Sequence, residues 1–306
     1  MWGLAIKRAL MAIPTLFVIV TLAFFMMRFA PGGPFDLEAN LSPIARQNLE
    51  ARFGLDRPLL VQYLNYVGGL LAGDFGPSYV RPGISVSEYL ATGLPVSLQL
   101  GLIAILLGLL IGIPCGAYAA LNQNSISDYL IMGFAMTGVA IPKFVVAPLL
   151  ALAFGIYLDL LPVGGWNNGA WPNKVLPIVS LALPFIAYVA RLTRASMIEV
   201  LRLDFVRTAR AKGLPTRIIL FRHCLKPTLI PVISYLGPGT ASVITGSIVV
   251  EQIFAIPGMG SYFVEGALNR DYTLVLGAII VYATLLILMN ALVDIAYAFL
   301  DPRIKI

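Results

Sequence analysis

Long apolar stretches separated by short polar ones dominate the hydrophobic pattern of this chain. Residues 9–27 form a run of 19 positions without a charge, directly after Lys7 and Arg8. About 20 helical residues cross the ~30 Å apolar core of a bilayer, so each such stretch predicts a membrane-spanning helix. Six spans are predicted, near residues 9–27, 95–121, 129–158, 175–190, 227–250 and 272–300.

Between the first two spans, residues 31–93 are rich in Gly and Pro and hold much of the polar character. Ser42 followed by Pro43 predicts a helix start, and Gly54 with Pro58 beyond it predicts a helix end. Residues 58–71 have the apolar spacing of an amphipathic helix. We expect this segment to lie outside the cell as a cap over the outer mouth, because it is too short for an enzyme domain.

Two of the spans contain features that ordinary apolar helices lack. Gly108, Gly112 and Gly116 recur every four residues, which predicts close packing against another helix on one face. The third span contains Lys143 next to Pro142. A charge near the bilayer midplane costs several kcal/mol unless it meets a partner or a wet cavity. Lys143 therefore lines a translocation pathway, pairs with a carboxylate of another subunit, or lies closer to an interface than the pattern indicates.

Composition supports a membrane protein. The hydrophobic fraction is 59% and the charged fraction 12%, whereas soluble domains carry roughly 25% charged residues. The net charge of +6 is concentrated in one place rather than spread over a surface that could bind nucleic acid. We therefore expect the lipid bilayer as the surroundings of this chain, and no nucleic acid as a partner.

The positive charge lies in residues 191–226, which hold nine Lys or Arg against Glu199 and Asp204. A basic connection between apolar spans is typical of the cytoplasmic side. With six spans, both termini lie on that same side. The connection 122–128 lies there too but has no Lys or Arg, so the orientation depends on the N-terminus and on the one basic loop.

Residues for enzymatic chemistry are missing from the pattern. The sequence has no phosphate-binding Walker A motif and no metal-ligand spacing, and its single histidine, His223, has no nucleophile partner. The two cysteines, Cys115 and Cys224, are expected to be reduced thiols. We predict that the chain is no enzyme and binds neither cofactor nor metal.

Within the basic region, residues 204–215 predict a short helix that ends at Gly213, with Lys212 in its last turn and Pro215 just beyond. Its length suits a helix that lies along the membrane surface. From these residues alone, two uses remain equally good. The helix receives force from a partner protein, or it rests on anionic lipid headgroups.

Residues 207–214 read RTARAKGL and residues 222–225 read RHCL. This stretch resembles the signature loop of binding-protein-dependent ABC permeases, in the form typical of their peptide/nickel branch. The generic loop of these permeases has Glu-Ala-Ala followed four residues later by Gly. Here Arg207 stands in place of the Glu, while Ala209 and Gly213 match.

The resemblance extends over nearly the whole chain. Its other motifs are FFMMR at 24–28, APG at 30–32, GDFGPS at 73–78, AMTG at 135–138, GGWN at 164–167, SMIEVL at 196–201, TGS at 245–247, PGMG at 257–260 and GALNRDY at 266–272.

The resemblance implies an all-α integral membrane protein with the type I ABC importer permease fold. It divides the chain into a first helix with a periplasmic segment (1–93), a permease core (94–295) with the coupling loop 191–226, and a cytoplasmic tail (296–306). It implies that ATP is hydrolysed by partner subunits. The implied partners are a homologous second permease subunit, two cytoplasmic ABC ATPases and a periplasmic peptide-binding protein, in the inner membrane of a bacterium.

Site residues are carried over on the matching motifs. The residues implied to couple to the ATPases are Arg207, Thr208, Ala209, Arg210, Ala211, Lys212 and Gly213. The residues implied to lie in a loop near the outer gate are Glu251, Pro257, Gly258 and Gly260. The implied activity is oligopeptide import, with dipeptide, murein-peptide or nickel import as alternatives inside the family. A secondary transporter is the alternative outside it, but it would need an internal repeat that the sequence lacks.

Overall fold

The computed structural model describes residues 2–30, 32–33, 35, 42–81 and 83–300 of the chain. Helices make up most of the described residues, and one isolated bridge between Pro77 and Ser85 is the only extended pairing among them. The last six residues of the tail predicted at 296–306, and Pro31 of the APG motif, lie outside the described residues.

Five helices are long and apolar enough to cross a membrane, and a bent helix pair makes a sixth when it is counted as one span. The five are α1 (Trp2–Phe29), α4 (Val86–Leu121), α7 (Trp171–Leu201), α10 (Leu225–Ile253) and α12 (Tyr272–Leu300). The order of the predicted spans is confirmed, and their number is six when the bent pair is counted as one span. Four of the five unbroken helices, α1, α4, α7 and α10, extend beyond the predicted bounds.

The third predicted span is broken. Helix α5 (Ile126–Ala140) and helix α6 (Lys143–Leu150) meet at a bend of 106°, and a π-helical segment (Ala151–Tyr157) continues α6. Pro142 lies between the two helices and directly precedes α6. A proline has no backbone N–H to donate and disfavours a helical conformation in the residue before it, which explains the break.

Short helices lie between the spans. Two of them, α2 (Pro43–Arg52) and α3 (Leu59–Leu71), follow α1, and α11 (Met259–Leu268) precedes α12. The side chain of Ser42 accepts a hydrogen bond from the Ala45 backbone N–H and so caps α2, as its sequence predicted.

The helices of the basic region are shorter still. Helix α8 (Asp204–Ala211) is followed by a three-residue helix, α9 (Thr216–Ile218), and by a second π-helical segment (Ile219–Cys224) that leads into α10. The region predicted as the loop 191–226 is therefore largely helical, and its first eleven residues continue α7. A membrane helix does not have to end where the charges begin, because Arg side chains at its end reach the polar interface.

The chain divides into two compact units. One consists of Met1–Arg8, Leu98–Ile256 and Leu286–Ile306, and the other of Ala9–Ser97 and Pro257–Leu285. We call them the core unit and the N-terminal unit.

In the core unit, α7 and α10 pack through the buried residues Phe185, Val189, Val232 and Val243. Helix α4 approaches α7 at its three glycines. A Cβ on Gly112 would lie 2.9 Å from the Ile186 carbonyl oxygen, so only glycine fits there. The predicted packing role of the glycine stripe is confirmed.

In the N-terminal unit, α3 lies against α1. Phe24 of α1 is 2% exposed and meets the ring of Tyr63 edge-on, with the ring centroids 5.4 Å apart. The hydroxyls of Thr21 and Tyr63 are hydrogen-bonded at 2.7 Å. Helix α3 thus covers the end of α1, in agreement with the amphipathic pattern of residues 58–71.

Candidate functional site: a surface helix and the end of a bent span

Helix α8 is held to the core unit by only two of its side chains. Val206 and Ala209, three positions apart, are 0% and 5% exposed and pack against Met197 of α7 and Cys224. The spacing places both on one side of the helix. Burial of this narrow stripe fixes how the helix is rotated and leaves its other side exposed.

The exposed side of α8 carries most of the predicted coupling residues. Of those seven, the residues exposed in the structure are Arg207, Thr208, Arg210, Ala211, Lys212 and Gly213. Arg207 contacts Asp204 at 3.3 Å, and both side chains are largely exposed, so this ion pair contributes little stability. The side therefore has three cations free to meet another surface.

Gly213 ends α8 in the manner that the sequence predicted. Its φ is +74°, a left-handed conformation that favours glycine. The N–H of Gly213 donates to the Arg210 carbonyl at 2.9 Å, and the N–H of Leu214 donates to the Ala209 carbonyl at 3.3 Å. This pair of bonds is a Schellman motif, and Leu214 packs onto the cluster that holds Val206. The helix end is therefore rigid.

A buried ion pair lies near the C-terminal end of α7, the helix that precedes α8. The guanidinium of Arg194 on α7 donates two hydrogen bonds of 2.6 Å to the carboxylate of Asp128, which is 1% exposed. The backbone N–H of Asn124 also donates to Asp128, at 3.0 Å. Neither residue of the pair was among the predicted site residues. The signal in the sequence that could have indicated this pair is Asp128 itself, an acidic residue in the first turn of the apolar helix α5.

Lys143 reaches α10 across the bend between α5 and α6. Its ammonium donates to the backbone oxygen of Ser242 and, at 3.1 Å, to the Ser242 hydroxyl. The lysine side chain lies so close to Gly246 that a Cβ there would collide with it. Within the described residues Lys143 has no carboxylate partner. Its charge is held by hydroxyl and carbonyl dipoles.

The four residues predicted to lie in one loop near the outer gate do not all lie in a loop. Glu251 lies in the last turn of α10 and is fully buried, so it is a helical residue rather than a loop residue. No proline or glycine follows Glu251 until Pro257, so the helix is free to continue past Glu251, and it ends at Ile253. Pro257 is exposed, whereas Gly258 and Gly260 are buried and belong to the N-terminal unit.

In the core unit, the turn after α10 is fixed by the connection that precedes α7. The Gly165 N–H donates to the Phe254 carbonyl at 2.7 Å, and the Asn173 amide donates to the carbonyls of Gly164 and Gly165. The GGWN motif at 164–167 is therefore attached to the turn that follows α10.

The N-terminal unit brings two further motifs together. The Asp271 carboxylate, 2% exposed, accepts hydrogen bonds from the Ser78 hydroxyl and from the Tyr79 N–H at 3.2 Å. The Thr273 hydroxyl also donates to it, at 3.0 Å. The motifs at 73–78 and 266–272 are thus explained as one structural junction.

The arrangement defines a helical membrane protein that has a rigid surface helix and a charge inside a bent span. No cluster of His, Cys, Asp or Glu that could hold a metal ion is found in the described part of the chain.

Comparison with known proteins identifies the class. Residues 112–306 match the family described as binding-protein-dependent transport system inner membrane component, and residues 1–82 match the family of its N-terminal part. The chain belongs to this family of inner membrane permeases and is a multi-pass protein of the inner membrane.

Curated relatives cover nearly the whole chain. The oligopeptide transport system permease protein OppB of Salmonella typhimurium is 54% identical over 300 residues, 98% of each chain. OppB of Haemophilus influenzae is 50% identical over 299 residues, again 98% of each. The dipeptide transport system permease protein DppB of Bacillus subtilis is 45% identical over 301 residues, 98% of this chain and 97% of that one.

A solved structure shares the fold. The methionine ABC transporter MetNI, in an inward facing conformation, matches with a TM-score of 0.59 over 69% of this chain and 96% of that chain, at 15% identity. The chain therefore has the type I ABC importer permease fold that the motifs implied.

Proposed function

We propose that this chain is a membrane-spanning permease subunit of an ATP-driven importer of oligopeptides. The relatives that are 50–54% identical over almost the full length carry the name of oligopeptide permeases, which supports this substrate class. The importer would contain a homologous second permease subunit, two cytoplasmic ABC ATPases and a periplasmic peptide-binding protein. ATP would be hydrolysed by the ATPases, with no cofactor bound by this chain.

The observation that carries the proposal is the mounting of α8. Residues Arg207–Gly213 form the coupling segment in the proposal, and a coupling segment must transmit force without bending. Val206 and Ala209 are buried against α7, while the basic side is exposed. A partner that pulls on this side would move α7 with it. The rival use as a lipid-contacting helix needs no such rigid mounting.

In the same proposal, Lys143 lies on the translocation pathway. The exposed residues of α10 are Lys226, Ser234, Pro238, Ser242, Thr245, Val249 and Gln252. Most of them are polar, whereas a lipid-facing helix is apolar; on α1 the exposed residues include Leu22, Met26 and Phe29. A polar face on a spanning helix suits a water-filled path or a partner subunit. Lys143 is bonded to the middle of this face at Ser242.

The outer end of the path would be formed by the motif after α10. Buried Glu251 and the packed turn at Phe254 would keep this region stiff, and exposed Pro257 with Gly258 and Gly260 would provide the gate. This assignment places both termini and α8 in the cytoplasm. It also keeps the division into residues 1–93, 94–295 and 296–306, with the coupling loop within 191–226.

Dipeptide import is the second candidate, because the dipeptide permease of Bacillus subtilis is 45% identical over the same length. The residues of the permease do not separate the two, since a separate binding protein is expected to choose the substrate. A binding assay on that protein with dipeptides and longer peptides would decide between them.

Uptake of labelled peptides by cells with and without the ATPase subunits tests the function. The proposal predicts that uptake is lost without the ATPases and persists when the proton gradient is collapsed while ATP is maintained. Uptake that survives loss of the ATPases and stops with the proton gradient would instead show a secondary transporter.

A further inference from the structure

The N-terminal unit contains a cavity that none of the predicted site residues touches. Its volume is about 300 Å³, within the roughly 300–1,000 Å³ of small-molecule sites. Its walls come from α1, α2, α3 and the start of α12, and from the connections at residues 53–57 and 76–79. The polar side chains that carry the argument are those of Arg28, Arg52, Arg57, Gln62 and Tyr66.

The charge of this cavity is positive. Arg28, Arg52 and Arg57 line it, and none of its lining residues is acidic. Among the described residues, no carboxylate lies within ion-pair distance of any of the three guanidinium groups. Among the described residues, Arg28 donates a long hydrogen bond of 3.4 Å to the Tyr79 hydroxyl and lies over the Phe24 ring, with its Cζ 5.5 Å from the ring centroid. Clustered arginines without an acidic partner favour an anion that can accept several N–H donors.

Two buried polar atoms in the wall of the cavity lack hydrogen-bond partners among the described residues, the Gln62 Oε1 and the Tyr66 hydroxyl. The Gln62 amide is oriented by its Nε2, which donates to the carbonyls of Leu55 at 3.0 Å and Arg57 at 2.7 Å. Its oxygen therefore needs a donor from elsewhere. Burial raises the pKa of Tyr66, so its hydroxyl stays protonated and can donate to an anion.

The cavity also has a defined depth relative to the membrane. Arg28 lies in the last turn of α1, whose apolar span is Leu10–Phe29. An arginine at the end of a span lies at the level of the lipid headgroups. Beside it, Met26 and Phe29 are each 72% exposed, which leaves an apolar surface along which acyl chains can lie.

We propose that this cavity binds the headgroup of a membrane phospholipid. The phosphate accepts hydrogen bonds from the three guanidinium groups and from the Tyr66 hydroxyl. The ammonium of ethanolamine, or a hydroxyl of glycerol, donates to the Gln62 Oε1. A choline headgroup has no such donor and binds more weakly. The lipid stabilises the junction between α1 and α3.

Native mass spectrometry of the assembled transporter tests the proposal. The complex is delipidated and titrated with phosphatidylethanolamine, phosphatidylglycerol or phosphatidylcholine. Variants Arg28→Gln and Tyr66→Phe are compared with Arg46→Gln, a matched loss of charge on α2 at a residue that pairs with Glu50 at 3.0 Å and does not line the cavity.

The expected result is that the tightest bound phospholipid per chain is weakened at least about tenfold by Arg28→Gln and about two- to tenfold by Tyr66→Phe. Arg46→Gln binds as the parent does. Because the Tyr66 hydroxyl has no partner among the described residues, Tyr66→Phe should fold normally, which separates lost binding from misfolding.

Competition by soluble ligands identifies the source of the anion. Full displacement of the lipid by millimolar inorganic phosphate, with no preference among headgroups, would show a site for free phosphate and overturn the proposal. Displacement by a short peptide with a free carboxylate would show a peptide site and overturn it as well. Unchanged lipid binding in both cavity variants would do the same.

Discussion

Arg194 and Asp128 form a bidentate ion pair that joins α7 to the first turn of α5, with both N–O distances at 2.6 Å. The carboxylate is almost completely buried, while the guanidinium retains about a quarter of its exposure. The pair lies seven residues before the end of the helix from which α8 follows. It therefore holds the base of the surface helix that we propose transmits force.

The two halves of this pair should respond unequally to mutation. Arg194→Met leaves a buried carboxylate without its counter-charge and should cost about 3 kcal/mol or more. Asp128→Asn keeps hydrogen-bonding atoms and leaves the arginine partly solvated, so it should cost less. Thermal unfolding of the purified complex would show the difference. Equal midpoints for both variants and the parent would contradict this role.

The contact between α4 and α7 predicts a steric limit at Gly112. In Gly112→Ala, the Cβ would lie 2.9 Å from the Ile186 carbonyl oxygen and from the Val189 side chain. Overpacking of this kind costs about 1–3 kcal/mol. The matched control is Gly133→Ala on α5, where an added Cβ meets nothing within 4 Å. The thermal midpoint should fall for the first variant only; a fall in both would rule out the specific contact.

The end of α8 predicts a ranked series at Gly213. Asn tolerates a positive φ, so Gly213→Asn should retain most uptake. Gly213→Pro removes the N–H that donates to Arg210 and forces φ to about −65°, so it should abolish peptide uptake. Membrane levels of each variant, measured by immunoblot, control for insertion. Normal uptake by the proline variant would remove Gly213 from the coupling segment.

The hydrogen bonds of Lys143 to Ser242 predict that mutating the lysine affects uptake more than mutating the serine. Lys143→Met removes both hydrogen bonds to Ser242 and the charge on the proposed pathway. If bonds to this charged group stabilise the slowest step of transport by roughly 1.5–3 kcal/mol, their loss lowers uptake about tenfold or more. Ser242→Ala removes only the hydroxyl and should have a smaller effect. Arg46→Met, which removes an exposed charge on α2 outside the proposed pathway and the coupling loop, is the control. Unchanged uptake of all peptides by Lys143→Met would contradict the pathway assignment.

The positions of the spans could be predicted from the sequence because apolar length alone determines them. The ends could not. The charges of residues 191–201 predicted a loop, yet these residues continue α7. Arginine side chains near the end of a membrane helix reach the polar interface, so their presence does not require the helix to end. The break at Pro142 was visible as a proline, but its 106° bend depends on how α6 packs.

The site shows the same division. The end of α8 at Gly213 follows from local backbone chemistry and was predicted. The partner of Lys143 lies 99 residues further along the chain, and that of Arg194 lies 66 residues before it. Such pairings are set by tertiary packing, which one sequence does not reveal. The same holds for the arginine-lined cavity, whose walls come from four helices and two connections.

Disulfide crosslinking from α8 to the ATPase tests the central claim most directly. The native cysteines, Cys115 and Cys224, are replaced by alanine, and Thr208→Cys is paired with cysteines in the ATPase. Leu160→Cys, 67% exposed on the connection before α7, is the control position. We predict a crosslink from position 208 that changes with ATP and none from position 160. No crosslink at 208 in a complex with normal uptake, or equal crosslinking at both positions, would contradict the assignment of α8 as the coupling helix.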